Sequence, residues 1–219
     1  MAVSSCKTWA VRAAALALGW CVAPASAGQA GASASVVVEG WRHRIWAVYP
    51  IEKVLADEAL PVSNRAERVL LSAARGEAEP FVLLLRSEVP LRKVEVEGTD
   101  LARPDGARLA ASAVRVQRLA YITVDEPSGT RIKQPMPYET GTGEYPDPLL
   151  DGGGAARPGR NLQFLVTLRV PREAQAGTYE GALRLRFERE GWMPAGVSAE
   201  DRIPLTLTVR PFALPEVSP

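Results

Sequence analysis

Residues 176–188 read Ala-Gly-Thr-Tyr-Glu-Gly-Ala-Leu-Arg-Leu-Arg-Phe-Glu, and residues 203–216 read Ile-Pro-Leu-Thr-Leu-Thr-Val-Arg-Pro-Phe-Ala-Leu-Pro-Glu. In the first stretch Leu183, Leu185 and Phe187 alternate with Arg184, Arg186 and Glu188. In the second, Ile203, Leu205, Leu207 and Val209 alternate with Pro204, Thr206, Thr208 and Arg210. An extended chain sends successive side chains to opposite sides, so a period of two marks a strand with one apolar and one solvated face. The two stretches therefore predict a hairpin of strands with a Pro-rich exit. Pro204 has no N–H to donate, which places it at a strand start or on an edge.

The same period recurs upstream. Leu162, Phe164, Val166, Leu168 and Val170 form one face, and Gln163, Leu165, Thr167 and Arg169 form the other, expected to be mostly wet. Residues 36–49 read as a first extended stretch, 69–74 and 81–86 as strands around the connection 75–80, and 94–97 and 114–124 as further strands. Helical character is confined to residues 52–60, expected to form one or two turns. Many short strands punctuated by Pro and Gly predict an all-β chain: an antiparallel β-sandwich, jelly-roll-like or immunoglobulin-like. Residues 125–160 break the pattern with six prolines and seven glycines, and read as one long Pro/Gly-rich loop. Within it, Tyr145-Pro146-Asp147-Pro148-Leu149-Leu150 is expected to be ordered, because two prolines fix φ and three apolar side chains can pack. Gly152, Gly153 and Gly154 are expected to be loose.

The N-terminus reads as an export signal. Lys7 and Arg12 precede an apolar run over residues 13–22 and a small-residue site at Ala25-Ser26-Ala27. A lipid-modified Cys21 is disfavoured, since Trp20 stands where a small residue is needed. Residues 1–27 are thus expected to be removed, residues 28–39 to be a linker or N-terminal arm, and residues 40–216 to be the sandwich. Both cysteines, Cys6 and Cys21, would leave with the signal, so no disulfide or thiolate chemistry is expected. Two of the 26 basic residues would leave as well, so 24 remain against 25 acidic ones, a net charge of −1. Such a balance gives no bulk electrostatic attraction for nucleic acid or an anionic membrane. The expected location is periplasmic or extracellular, with no membrane span in the mature chain.

Three segments together resemble the N-terminal β-sandwich domain of glycoside hydrolase family 123 and its uncharacterised relatives. The first is Ala73-Ala74-Arg75-Gly76-Glu77-Ala78-Glu79-Pro80-Phe81-Val82-Leu83. The second is Tyr145-Pro146-Asp147-Pro148-Leu149-Leu150. The third runs from Val170-Pro171 through Ala176-Gly177-Thr178-Tyr179-Glu180-Gly181 and is continued by Val209-Arg210-Pro211-Phe212-Ala213-Leu214-Pro215. The resemblance implies a sandwich that precedes a (β/α)₈ barrel. In that family the barrel carries an Asp-Glu pair that hydrolyses N-acetyl-β-galactosaminides with help from the substrate's acetamido group. No barrel follows within these residues, so no catalytic residue of the family is carried over.

The remaining chemistry is sparse. Asp125-Glu126 is an acidic doublet, but adjacent strand residues face opposite ways, and Pro127 and Gly129 mark a turn there. His43 is the only histidine and has no cysteine to share a metal with, so it reads as a strand residue within Trp41-Arg42-His43-Arg44-Ile45-Trp46. Arg75 and Glu77 are expected to form a structural ion pair. Asp147 is expected to accept backbone N–H bonds and fix its loop. Exposed aromatics stack on sugar rings, and Trp192, after Gly191 at a hairpin tip, is the best-placed candidate. The candidate interface or ligand contacts are therefore Tyr145, Asp147, Leu149, Leu150 and Trp192, with no catalytic, cofactor or metal residue. The partner implied is a glycoside hydrolase catalytic domain or, alternatively, a carbohydrate bound by a freestanding sandwich.

Overall fold

A computed structural model of the chain describes residues 35–62, 64–126, 142–189 and 198–215, and these belong to one unit, Ala32–Pro219. The strands are β1 (Ser35–Gly40), β2 (His43–Val48), β3 (Val69–Arg75), β4 (Ala78–Ser87), β5 (Leu91–Gly98), β6 (Leu101–Ala102) and β7 (Arg108–Leu109). They continue with β8 (Val114–Val124), β9 (Gly143–Leu150), β10 (Gly154–Ala156), β11 (Asn161–Arg169), β12 (Gly177–Arg189) and β13 (Ser198–Ala213). One sheet has the order β1-β2-β4-β11-β8-β9, and the other has β10-β5-β12-β13-β3 with β6 and β7 attached beside β12. The fold is a two-sheet β-sandwich, as the alternation predicts. One pairing departs from the antiparallel expectation: β13 runs parallel to β3, from Leu205 opposite Val69 to Val209 opposite Ala73.

The core forms where the inward faces meet. Phe164, Val166 and Leu168 of the first sheet pack with Leu185, Phe187, Leu205 and Leu207 of the second in one buried cluster. The closing hairpin is long, running from Gly177 opposite Val209 to Glu188 opposite Ser198. Pro204 lies just before the stretch paired with β3, so the missing donor falls where β13 has one neighbour only.

The two glycines of Ala-Gly-Thr-Tyr-Glu-Gly have separate reasons. Gly177 adopts a φ of +136°, and a Cβ there would lie 2.9 Å from the Arg103 guanidinium carbon. Gly181 lets Leu101 of β6 cross close by, since a Cβ would lie 2.9 Å from its side chain. Between them Tyr179 is buried, and its hydroxyl donates to Gln175 O at 2.9 Å.

The expected wet face of β11 is covered at its start, around Gln163 and Leu165, while Arg169 at its end is exposed. Phe81-Val82-Leu83-Leu84-Leu85 of β4 is buried on both faces, and Gln163 of β11 is only 1% exposed. The cover is the segment between β2 and β3. Val54 and Leu60 pack there against Trp46, Val48, Val82, Leu84, Leu119 and Leu165 as a second, smaller core. Residues 52–60 are not helical, which corrects the expectation above. Their backbone groups bond elsewhere: Ala56 N donates to Glu144 O at 3.1 Å, and Ala56 O accepts from Asn161 N at 2.7 Å. A helix would need those groups for itself.

The Pro/Gly-rich stretch is likewise more regular than expected. Within it β9 pairs with β8, with Tyr145 opposite Ile122 and Leu149 opposite Leu119. Gly154 pairs with Val94 in β10, so the end of the glycine run is a strand. The first sheet also starts earlier than residue 40, because β1 begins at Ser35. At its far end, β13 carries the chain out as an extended strand, with Leu214 N donating to Arg75 O at 2.9 Å.

Candidate functional site

β9 and the covering segment enclose a cavity of about 220 Å³ on the outer side of the first sheet. Pro146, Asp147 and Leu149 line it together with Glu52, Lys53 and Gln163. Val82, Leu119 and Leu165 line it from the sheet, and Gln163 ties it to a polar network. Gln163 Nε2 donates to Val54 O at 2.8 Å and to the Tyr121 hydroxyl at 2.9 Å. The Tyr121 hydroxyl donates to Asn161 O at 2.8 Å, and Asn161 Nδ2 donates to Leu55 O and Glu58 O at 2.7 and 2.8 Å. Burial pushes the Tyr121 phenol up to about 12, against the opposing pull of its Gln163 bond, so it stays a neutral donor. Burial, with Glu58 adding repulsion, raises the Glu52 carboxyl above its ordinary range.

The predicted contact residues divide. Asp147 and Leu149 face the cavity, and Leu149 is 44% exposed. Leu150 pairs with Arg118 at the edge and is also exposed. Tyr145 is half-buried. Among the described residues Asp147 accepts no backbone N–H, which corrects its expected role. Lys53 Nζ instead reaches the neighbouring Pro146 O at 3.4 Å. Trp192 lies outside the described residues. Arg75 and Glu77 do not pair with each other. Glu77 accepts from Ala74 N at 2.6 Å, and Arg75 donates to Pro211 O at 3.3 Å. Asp125 and Glu126 follow the end of β8 as exposed residues.

A second constellation was hidden from the sequence reading. Trp41 and Arg42 are not strand residues but the turn between β1 and β2, and Trp41 is 51% exposed. The Arg42 guanidinium carbon lies 5.1 Å from the Trp41 ring centroid, and that of Arg189, at the end of β12, lies 5.3 Å from it. Below the turn, buried His43 places Nε2 2.6 Å from Asp201 Oδ2 and Nδ1 3.2 Å from Trp41 O. Both ring nitrogens face oxygen acceptors; a neutral imidazole donates to one of them, an imidazolium to both. Phe187 meets the ring edge-on, centroids 5.1 Å apart. The pair spans the sandwich, joining β2 of one sheet to β13 of the other. A signal for it exists in the sequence. His43 keeps the inward period of Ile45, and Asp201 keeps the inward period of Ile203, so both are polar residues at core-facing positions.

Among the described residues no group of three or more His, Cys, Asp or Glu is placed to hold a metal ion, and no helix is long and apolar enough to cross a membrane.

No protein-family model matches the chain, and no curated protein matches it. In structure it is similar to a family 123 glycoside hydrolase from Clostridium perfringens, with a TM-score of 0.54 and 12% identity over 67% of this chain. The matched region is 23% of that enzyme's length. Lower similarity extends to MyfA, the major subunit of Myf fimbriae from Yersinia enterocolitica (TM-score 0.33, 17% identity, 66% of this chain and 94% of that one). It also extends to CfaE, the adhesive subunit of CFA/I fimbria of enterotoxigenic Escherichia coli (TM-score 0.32, 10% identity, 76% and 59%). At these identities the likeness is one of fold.

Proposed function

We propose that the chain is a non-catalytic β-sandwich accessory domain of an exported glycoside-hydrolase-like protein, and that it supports a catalytic barrel lying outside these residues. The observation that carries this reading is the fold likeness to a family 123 glycoside hydrolase, of which the matched part is under a quarter of the length. Residues 1–27 direct export in this reading, and the mature chain, from Gly28, works in the periplasm or outside the cell. The surface agrees with a supporting role. Leu70 on the edge strand β3 is 70% exposed, and Phe212, where β13 leaves the sheet, is 57% exposed. Exposed apolar side chains along the exit of the chain suit contact with a further domain.

A second reading, a freestanding carbohydrate binder, is favoured by the half-exposed Trp41. The test of the first reading is direct. The purified mature chain should hydrolyse no aryl glycoside, aryl N-acetyl-β-galactosaminide included. Turnover that is lost on Asp147→Asn or Glu52→Gln would overturn the non-catalytic assignment, since those carboxylates share the cavity beside β9.

A further inference from the structure

We propose that the end of the sandwich built by the β1–β2 turn and the end of β12 is a binding site for an acidic saccharide, a sugar chain bearing carboxylate or sulfate groups. The anionic half of this statement rests on geometry alone. The saccharide half rests on the accessory-domain reading above.

The geometry begins with two guanidinium groups to which no described residue supplies an anion. Arg42 and Arg189 both lie against the Trp41 ring, and among the described residues neither forms an ion pair or a side-chain hydrogen bond. Arg189 also lies 5.4 Å from the Phe187 centroid, and its Nε is buried with no acceptor. Arg75, Arg118 and Arg184 have the same unsatisfied buried Nε, so that atom alone marks no ligand site; the groups offered to an anion are the terminal N–H groups. A guanidinium presents a planar fork of N–H groups that matches carboxylate or sulfate oxygens two at a time.

The backbone adds a second observation. Arg42 has a φ of +60°, a conformation that favours glycine and is costly for a long side chain. The turn is nonetheless pinned there, because Arg42 O accepts from Glu88 N at 2.9 Å and from the Ser87 hydroxyl at 3.3 Å. Strain held in place by its surroundings points from the conformation toward a use.

Beside the turn lies a cavity of about 360 Å³, near the lower end of the roughly 300–1,000 Å³ usual for ligand sites. Arg42, Arg44 and Arg86 line it, with Glu88 as the one carboxylate. Arg44 is held by Glu39 at 3.3 Å, and Arg86 by Glu58 O and Asn161 Oδ1 at 3.2 and 3.1 Å. Those two contribute field and a fixed wall, while the donors of Arg42 are taken by no described residue. Trp41 precedes Arg42 in the turn, and the part of its indole not covered by the two guanidinium groups offers an apolar surface to the C–H face of a sugar ring. The His43–Asp201 pair holds the floor beneath the turn.

Titration calorimetry on the mature chain tests the proposal with trigalacturonate, a sulfated chondroitin tetrasaccharide, a neutral galactose trimer, inorganic sulfate, duplex DNA and anionic phosphatidylglycerol vesicles. One of the two acidic sugars should bind at least tenfold more tightly than the neutral trimer, and which one does so identifies the acid group. Arg42→Gly should weaken that binding at least tenfold while the melting temperature holds or rises, because glycine suits the positive φ. Arg189→Gln should weaken it in the same direction. Equal binding of acidic and neutral sugars, unchanged binding in Arg42→Gly, or binding of neither acidic sugar would each overturn the proposal. So would inorganic sulfate matching the sugars, or DNA or vesicles binding in their place. A failed titration leaves the accessory-domain reading standing, since that reading is decided by the hydrolysis assay.

Discussion

The two ends of β12 both place an arginine against an aromatic ring, and they treat it differently. Near the start of the strand, Arg103 lies 5.7 Å from the Tyr179 centroid. Its donors are used: it pairs with Asp105 at 2.7 Å and donates to Ala176 O. Tyr179 itself is 1% exposed and hydrogen-bonded. At the other end Arg189 lies against a ring that is half in solvent, with its buried Nε unsatisfied. The same pair of residue types thus makes a closed structural joint at one end and an open, cationic surface at the other. An aromatic–arginine contact is informative only when the remaining donors are traced.

The largest expected contrast is between the rings. Tyr179→Ala should cost about 3–5 kcal/mol in urea unfolding, as for other large buried aromatics. Trp41→Ala should stay within about 0.5 kcal/mol, as a surface change. Similar losses at both sites would erase the distinction between joint and surface.

Next comes the buried pair under the open end. Asp201→Ala leaves His43 facing a carboxylate that is gone, and should cost about 1–3 kcal/mol. Replacing both by leucine should recover most of that, since a buried pair is often no better than apolar packing. An unchanged urea midpoint for Asp201→Ala would mean that the pair does not brace the two sheets.

The smallest contrast is between the arginines. Arg103→Ala should cost about 1 kcal/mol for its lost bonds and packing. Arg189→Ala should be neutral or slightly stabilising, because it removes an unsatisfied buried donor. A larger loss at Arg189 than at Arg103 would show that Arg189 is a structural residue and would weaken the case for an open site.

Much of the sandwich is legible in the sequence. Alternation at Leu183, Leu185 and Phe187, and at Leu205 and Leu207, names the core face of the closing hairpin directly. Alternation says nothing about what covers the other face, so Gln163 reads as wet although it is buried. The unbroken apolar run at residues 81–85 was the available warning that both faces of that sheet are covered. The prolines of Tyr145-Pro146-Asp147-Pro148 mask a strand, because an edge strand can lack donors on its outer side. The His43–Asp201 pair joins residues 158 positions apart, and only the long-range register of β2 and β13 brings them together. The Trp41 cluster was missed for a related reason: a strand reading of residues 41–46 hides the turn that turns Trp41 outward.

The parallel pairing of β3 with β13 has a consequence for how the chain is made. Val69 meets Leu205, and Ala73 meets Val209, so β3 finds its neighbour only after more than a hundred further residues have been synthesised. Until then its apolar residues have no strand to pair with. Topologies of such high contact order fold slowly, because a long loop must close before any contact rewards it. The second sheet cannot be completed until β13 has emerged. Until then that edge stays unpaired, and substitutions in β13 are expected to reduce yield in cells by more than their effect on the finished fold.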